Sequence, residues 1–218
     1  GGVELIEVGM PYSDTVMDGQ VIQQTSETAI KNGIKNSDVF EIVAESSVPT
    51  YVMSYWNPIE RYGVKKFASA LAQSGGVGVI TPDLTVEESQ EWIAATDEFD
   101  IDRTYVVAPS STDSRLKNVT KNCTGFVYAA SLMGVTGARS VLSNDAKNLV
   151  SRIRAVSDLP ISVGLGVSNS EQASEISAYA DGVIVGSAFL KLLLDGRGPD
   201  AVVELAKDLS RGVRKRSN

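Results

Sequence analysis

At 218 residues, with 43% hydrophobic and 22% charged side chains, the chain has the size and composition of one globular unit, and residues 1–218 are read as a single domain. Its net charge of -7 argues against nonspecific nucleic-acid binding, and no apolar run approaches the roughly 20 residues that a membrane span requires. The sequence has no histidine, which excludes Ser-His and Cys-His nucleophiles and His-ligated zinc, so acid-base chemistry falls to carboxylates, Lys, Tyr or Cys and no metal site is expected.

In chain order, the run VELIEV from Val3 reads as a first strand, followed by the polar loop around PYSDTVMDG and the helical pattern VIQQTSETAIKNG. Further strands are expected at TYVMSYW from Thr50, VGVIT from Val77, TYVVAP from Thr104, GFVYAAS from Gly125, PISVGLG from Pro160 and DGVIVGS from Asp181. Between them lie the amphipathic stretches IERYGVKKFASALAQSGG, VEESQEWIAATDEF, SNDAKNLVSRIRAV and SNSEQASEISAYA, and a further helix is expected from Ser187. The basic tail RGVRKRSN reads as the solvated end of a last helix. The single cysteine, Cys123, permits no internal disulfide, and no basic flank precedes an apolar core at the N-terminus, so a reducing cytoplasm is the expected setting.

Strands that are continuously apolar and alternate with helices imply an α/β fold with a parallel sheet and right-handed crossovers. No GxGxxG follows the first strand, and the glycines cluster after the last strands, which favours a (β/α)8 TIM barrel over an open doubly wound sheet. Seven strands rather than eight read as strands two to eight, with the first strand absent and two sheet edges exposed.

On this reading Glu7 closes the first strand, at the end where barrel enzymes place their sites, and an apolar surround would raise its pKa. The alternative is an exposed carboxylate capping the next turn. Asp18 offers a second carboxylate in the following loop, or else a turn or helix cap, for which Asp14 is equally suited. The segments GVTGARS, GLGVSNS and GSAFLKL follow three consecutive strands and suit a phosphate, since glycine lets backbone N–H groups approach an anion and no GK[ST] is present to bind a nucleotide. Ordinary turns are the competing reading. Tyr128, near the end of its strand, is either a core tyrosine or a hydroxyl partner for a strand-end carboxylate, while Ile22, Met53, Tyr55, Ile80 and Leu165 are either pocket wall or plain core.

The segments ELIEVGMPYSDTVMDGQVIQ, VITPDLTVEES, YAASLMGVTGARS, VGLGVSNSEQ and DGVIVGSA, in this order, resemble the α subunit of tryptophan synthase over essentially the whole chain. The spacing of Glu, PYSD and DG in the first segment carries the most specific part of the match. The resemblance implies a (β/α)8 barrel that cleaves indole-3-glycerol phosphate to indole and glyceraldehyde 3-phosphate by a retro-aldol reaction. It also implies Glu7 as the proton-transferring glutamate, Asp18 as the partner of the indole N–H and Tyr128 as a neighbour of the glutamate. Gly137, Gly166, Gly186 and Ser187 then fall on phosphate-binding positions, Thr136 on a loop that closes over the site, and Asp14 and Asp83 on loops facing a partner. That partner is a β subunit carrying pyridoxal phosphate in an α2β2 complex; no cofactor is implied in this chain. Thr15 and Thr85 stand where the family often has proline, and the absent first βα unit leads us to expect impaired activity. Two other readings remain open. A sugar-phosphate isomerase or an indole-glycerol-phosphate-forming synthase would need a Cys-Asp pair or a strand-end lysine, whereas Lys65 and Lys66 fall in a helical pattern. A regulatory partner subunit with little activity of its own would not require both Glu7 and Asp18.

Overall fold

The computed structural model describes residues 2–130, 139–164 and 166–214, which fall into two compact units. The first comprises Glu4–Tyr105 and Asn122–Gly125. It holds β1 (Ile6–Gly9), α1 (Gln20–Lys31), α2 (Asn36–Ala44), β2 (Thr50–Met53), α3 (Trp56–Tyr62), α4 (Val64–Gln73) and β3 (Gly78–Thr81). A 3-10 turn at Val86–Glu88, α5 (Gln90–Glu98) and the start of β4 (Asp102–Val107) complete it. The second unit, Gly1–Val3, Val106–Lys121 and Phe126–Asn218, takes up the end of β4 and continues through α6 (Asp113–Asn122), β5 (Val127–Ala130), α7 (Arg139–Arg154) and β6 (Ile161–Gly164). It ends with α8 (Ser170–Ser177), β7 (Gly182–Ile184), α9 (Ser187–Leu194) and α10 (Gly198–Arg214). The strands follow one another in sequence order from β1 to β7, and every pairing is parallel. Among the described residues no helix is long and apolar enough to cross a membrane.

The strand runs form for the reason the sequence suggests: β3 is buried at every position, as a strand covered on both faces must be. The first strand is shorter and later than VELIEV. Pairing begins only at Ile6 opposite Thr50, because β2 starts there, and Val3 and Leu5 stay exposed. Glu7 is therefore the second of four strand residues, and Gly9 closes the strand. Parallel register partners share a face, so Glu7 stands in one row with Tyr51, Gly78 and Asp102, and the next row is Gly9, Met53, Ile80 and Thr104. The Tyr51 ring crosses Gly78, where any Cβ would collide with it, and its hydroxyl donates to Asp102 Oδ2 at 2.6 Å.

The stretch expected as a single helix from Ile59 is broken. Gly63 has φ 96°, a left-handed value that an L side chain resists, and it ends α3 and opens α4 in a new direction. Beyond it, Val64, Phe67, Ala68 and Leu71 return at helical spacing and are all buried. Trp92 of α5 meets Phe67 and, edge on, Trp56, with ring centroids 6.2 and 5.9 Å apart. Cys123 is buried, and desolvation pushes its thiol up to about 11. In the second unit, Gly212 of α10 lies so close to the Ser170 backbone that no side chain would fit there. The helix is described to Arg214, so the basic tail is helical over its first four residues, and its last four lie outside the described residues.

Candidate active site

The loop after β1 carries Asp18, and three side chains fix it. Tyr55, at the N-cap of α3, donates its hydroxyl to Asp18 Oδ2 at 2.9 Å and accepts the Met17 N–H at 3.0 Å. The Gln23 amide on α1 donates to the backbone carbonyls of Thr15 (3.2 Å) and Asp18 (3.0 Å). Ser26, one turn further on, accepts the Tyr12 N–H at 3.1 Å. Neither aspartate caps α1: Gly19 is its N-cap with no side-chain bond, Asp14 Oδ2 accepts the Ser13 hydroxyl, and Asp18 turns to Tyr55. The capping alternative for Asp18 is thereby removed.

Glu7 is half-buried, and its pKa is raised from 4.5 to about 7, first by desolvation and second by the negative charge of Asp18. Asp18 is itself raised by desolvation, against which the Tyr55 hydrogen bond acts. Tyr55 in turn is pushed up to about 12, mainly by desolvation, so it remains a hydroxyl donor at neutral pH. Gly9 lies two residues beyond Glu7 on the same face, and a Cβ there would meet nothing within 4 Å, so the next position on that face is open. A carboxyl group poised near neutrality next to a fixed carboxylate can give and take a proton while the second group holds a positive charge.

The expected pocket residues divide. Ile80 is fully buried on β3, Met53 ends β2 half-buried, and Ile22 is half-buried on α1. Tyr55 does more than line a wall, since it organises the Asp18 loop. Asp83 accepts the Trp56 N–H with both carboxylate oxygens, at 2.9 and 3.2 Å, and so supplies the cap that α3 lacks from its own sequence. Gln23 was not legible as a site residue: its only signal is its position five residues after Asp18 on the face of α1 that meets the loop.

Tyr128, Gly166, Gly186 and Ser187 belong to the second unit. The Tyr128 hydroxyl stands against Gly164 of β6, where a Cβ would come within 2.7 Å of it. Gly166 has φ 65°, a conformation that favours glycine. The two helix N-termini that follow β6 and β7 differ. At α8, Asn169 accepts the Gln172 N–H and Asp208 accepts the Ser170 N–H, each at 3.0 Å. Helix α9 begins at Ser187, as expected, with Gly186 at its N-cap and no side-chain cap bond among the described residues. Thr136, Gly137 and Leu165 lie outside the described residues.

Residues 1–214 match the family model described as "Tryptophan synthase alpha chain". The tryptophan synthase alpha chain of Mycobacteroides abscessus is 54% identical over 218 residues, with 99% of this chain and 82% of that protein covered. That of Salinispora tropica is 53% identical, covering 98% and 82%. Among solved structures, Mycobacterium tuberculosis tryptophan synthase aligns with a TM-score of 0.90 at 48% identity over 97% of this chain and 81% of that one. The A-subunit from the hyperthermophile Pyrococcus furiosus aligns with a TM-score of 0.83 at 36% identity over 94% and 84%. These agreements put the sequential parallel strands in the (β/α)8-barrel class. On this combined ground the chain belongs to the tryptophan synthase alpha chain family, whose members are lyases acting on indole-3-glycerol phosphate in tryptophan biosynthesis.

Proposed function

We propose that Glu7 and Asp18 divide the chemistry of indole-3-glycerol phosphate cleavage between them. Glu7 in its protonated form delivers a proton to indole C3, and the positive charge that this creates on the ring nitrogen is held by the Asp18 carboxylate through the N–H. The Glu7 carboxylate then takes the proton of the glycerol hydroxyl. The bond from C3 to the carbinol carbon breaks, its electron pair returns to the ring and neutralises the nitrogen, and indole and glyceraldehyde 3-phosphate result. The proton count closes, because Glu7 ends as it began.

The observation that carries this reading is the pairing of a glutamate raised to about 7 with an aspartate oriented by Tyr55. A group near neutrality is suited to both halves of the proton transfer. The N-terminus of α9, which has no side-chain cap bond among the described residues, supports a phosphate role for Gly186 and Ser187, since its N–H groups and dipole favour an anion. Gly166 and Gly137 are assigned to the same group, Thr136 to loop closure and Tyr128 to the reacting end on the family resemblance. The partner is the tryptophan synthase β subunit, met through the loops of Asp14 and Asp83, and pyridoxal phosphate is assigned to that subunit rather than to this chain. A cytoplasmic setting follows from the biosynthetic role.

The test is indole release from indole-3-glycerol phosphate by the chain with its β subunit. Glu7→Gln is expected to lower kcat on the order of 10²- to 10⁴-fold, and Asp18→Asn by about tenfold to a hundredfold. Wild-type turnover in Glu7→Gln would overturn the assignment.

A further inference from the structure

We infer that Gln23 is a positioning residue for the reaction, acting through Asp18 by pinning the loop that carries it. The inference rests on the role given above to Asp18. The Asp18 loop has two short internal spans: in the first the Val16 N–H donates to the Asp14 carbonyl at 2.8 Å, and in the second the Asp18 N–H donates to the Thr15 carbonyl at 3.2 Å. The Gln23 amide nitrogen donates to both ends of the second span, to Thr15 O at 3.2 Å and Asp18 O at 3.0 Å. Its orientation is fixed by chemistry: only the NH2 end can face two carbonyl oxygens, and the reverse setting would oppose three acceptors. Both hydrogens of the amide are thus committed to the loop.

The helix that carries Gln23 is built for attachment rather than for burial. No residue of α1 is buried, and the helix has no side-chain cap of its own. Yet Gln23 and Ser26, three positions apart and hence on one face, both bond to backbone of the preceding loop, Ser26 by accepting the Tyr12 N–H. On the other side of the loop, Tyr55 holds Met17 N–H and the Asp18 carboxylate. Tyr55 sets where the Asp18 carboxylate points, and Gln23 sets where its backbone lies. With Gln23 removed, the Tyr55 and Ser26 hydroxyls are left to fix a polar loop that contains the exposed Val16 and Met17, and in neither of their bonds is the Thr15 or Asp18 carbonyl the partner. Displacement of a reacting partner by about 1 Å is enough to cost up to a hundredfold in rate.

The experiment is a double-mutant cycle on the chain with its β subunit, using Gln23→Met, Asp18→Asn and the pair, with kcat and KM separated and indole affinity and a thermal melt recorded for each. Gln23→Met keeps the length of the side chain but donates nothing. It is expected to lower kcat about tenfold or more with little change in KM, and to add nothing to the loss in Asp18→Asn. Losses that multiply, or wild-type kcat in Gln23→Met beside a slow Asp18→Asn, overturn the clamp alone. Wild-type turnover in Asp18→Asn overturns the role of Asp18, and the clamp with it. If Gln23→Met does not fold, Gln23→Glu replaces it, since it keeps the shape and turns the donor into an acceptor. Failure of both to fold also overturns the inference, because Gln23 would then serve the fold rather than the site.

Discussion

Glu7 carries two burdens that act in the same direction on its proton: desolvation of its carboxyl group and the charge of Asp18. Asp18 is balanced differently, with desolvation raising its pKa and the Tyr55 hydroxyl lowering it. Tyr55→Phe removes the lowering influence and frees the Met17 N–H, so the Asp18 pKa moves further up. Asp18 must be ionised to hold a cationic ring nitrogen. The acidic limb of kcat/KM is therefore expected to shift to higher pH in Tyr55→Phe, with a loss of about tenfold at neutral pH; an unmoved limb would show that the hydroxyl does not govern Asp18. Asp18→Asn has the opposite effect on its neighbour, since it takes away one cause of the raised Glu7 pKa. A carboxyl titration of Glu7 in that variant is expected to fall below about 7, with desolvation left as the remaining cause.

Among elements, α3 and the row across β1 to β4 are the ones whose geometry reaches the site. Helix α3 begins at Trp56 directly after Tyr55, and its first N–H is satisfied from a distant loop by Asp83. Asp83→Ala leaves that N–H without its acceptor and is expected to cost about 1 kcal/mol in urea unfolding, and to loosen Tyr55 and hence Asp18. In the row Glu7, Tyr51, Gly78, Asp102, the aromatic ring occupies the space of the missing Gly78 side chain. Gly78→Ala forces that ring aside and is expected to destabilise by about 1–3 kcal/mol, seen as a lower Tm. The identity and order of the strands were legible because buried parallel strands are continuously apolar. Their limits were not, because pairing partners set them: VELI has no neighbour until Thr50 opens β2. The break at Gly63 was hidden because a glycine within a helical pattern does not reveal its φ.

At the scale of the whole molecule, the absence of histidine makes stability between pH 5 and 8 unusually easy to interpret, since the side chain that normally titrates there is missing. The Glu7 pKa is raised in the folded state from 4.5 to about 7, so its contribution is fully present below 4.5 and is lost as pH rises through about 7. The size of that loss is on the order of 3 kcal/mol. Urea unfolding is expected to show Glu7→Gln gaining on the wild type by roughly this amount between pH 4.5 and 8, and a constant difference would contradict the raised pKa. The candidate carboxylates themselves were legible from the segment around PYSD, but the environment that makes them work was not. Tyr55 lies 37 positions from Asp18, and only the fold joins them. One last consequence concerns light. The two tryptophans of the sequence, Trp56 and Trp92, form a single edge-on pair, and the backbone N–H of Trp56 is bound to Asp83. The tryptophan emission of the protein thus originates at one spot, beside a loop assigned to the partner, and engagement of that loop is expected to change this emission, which can be read without attaching a dye.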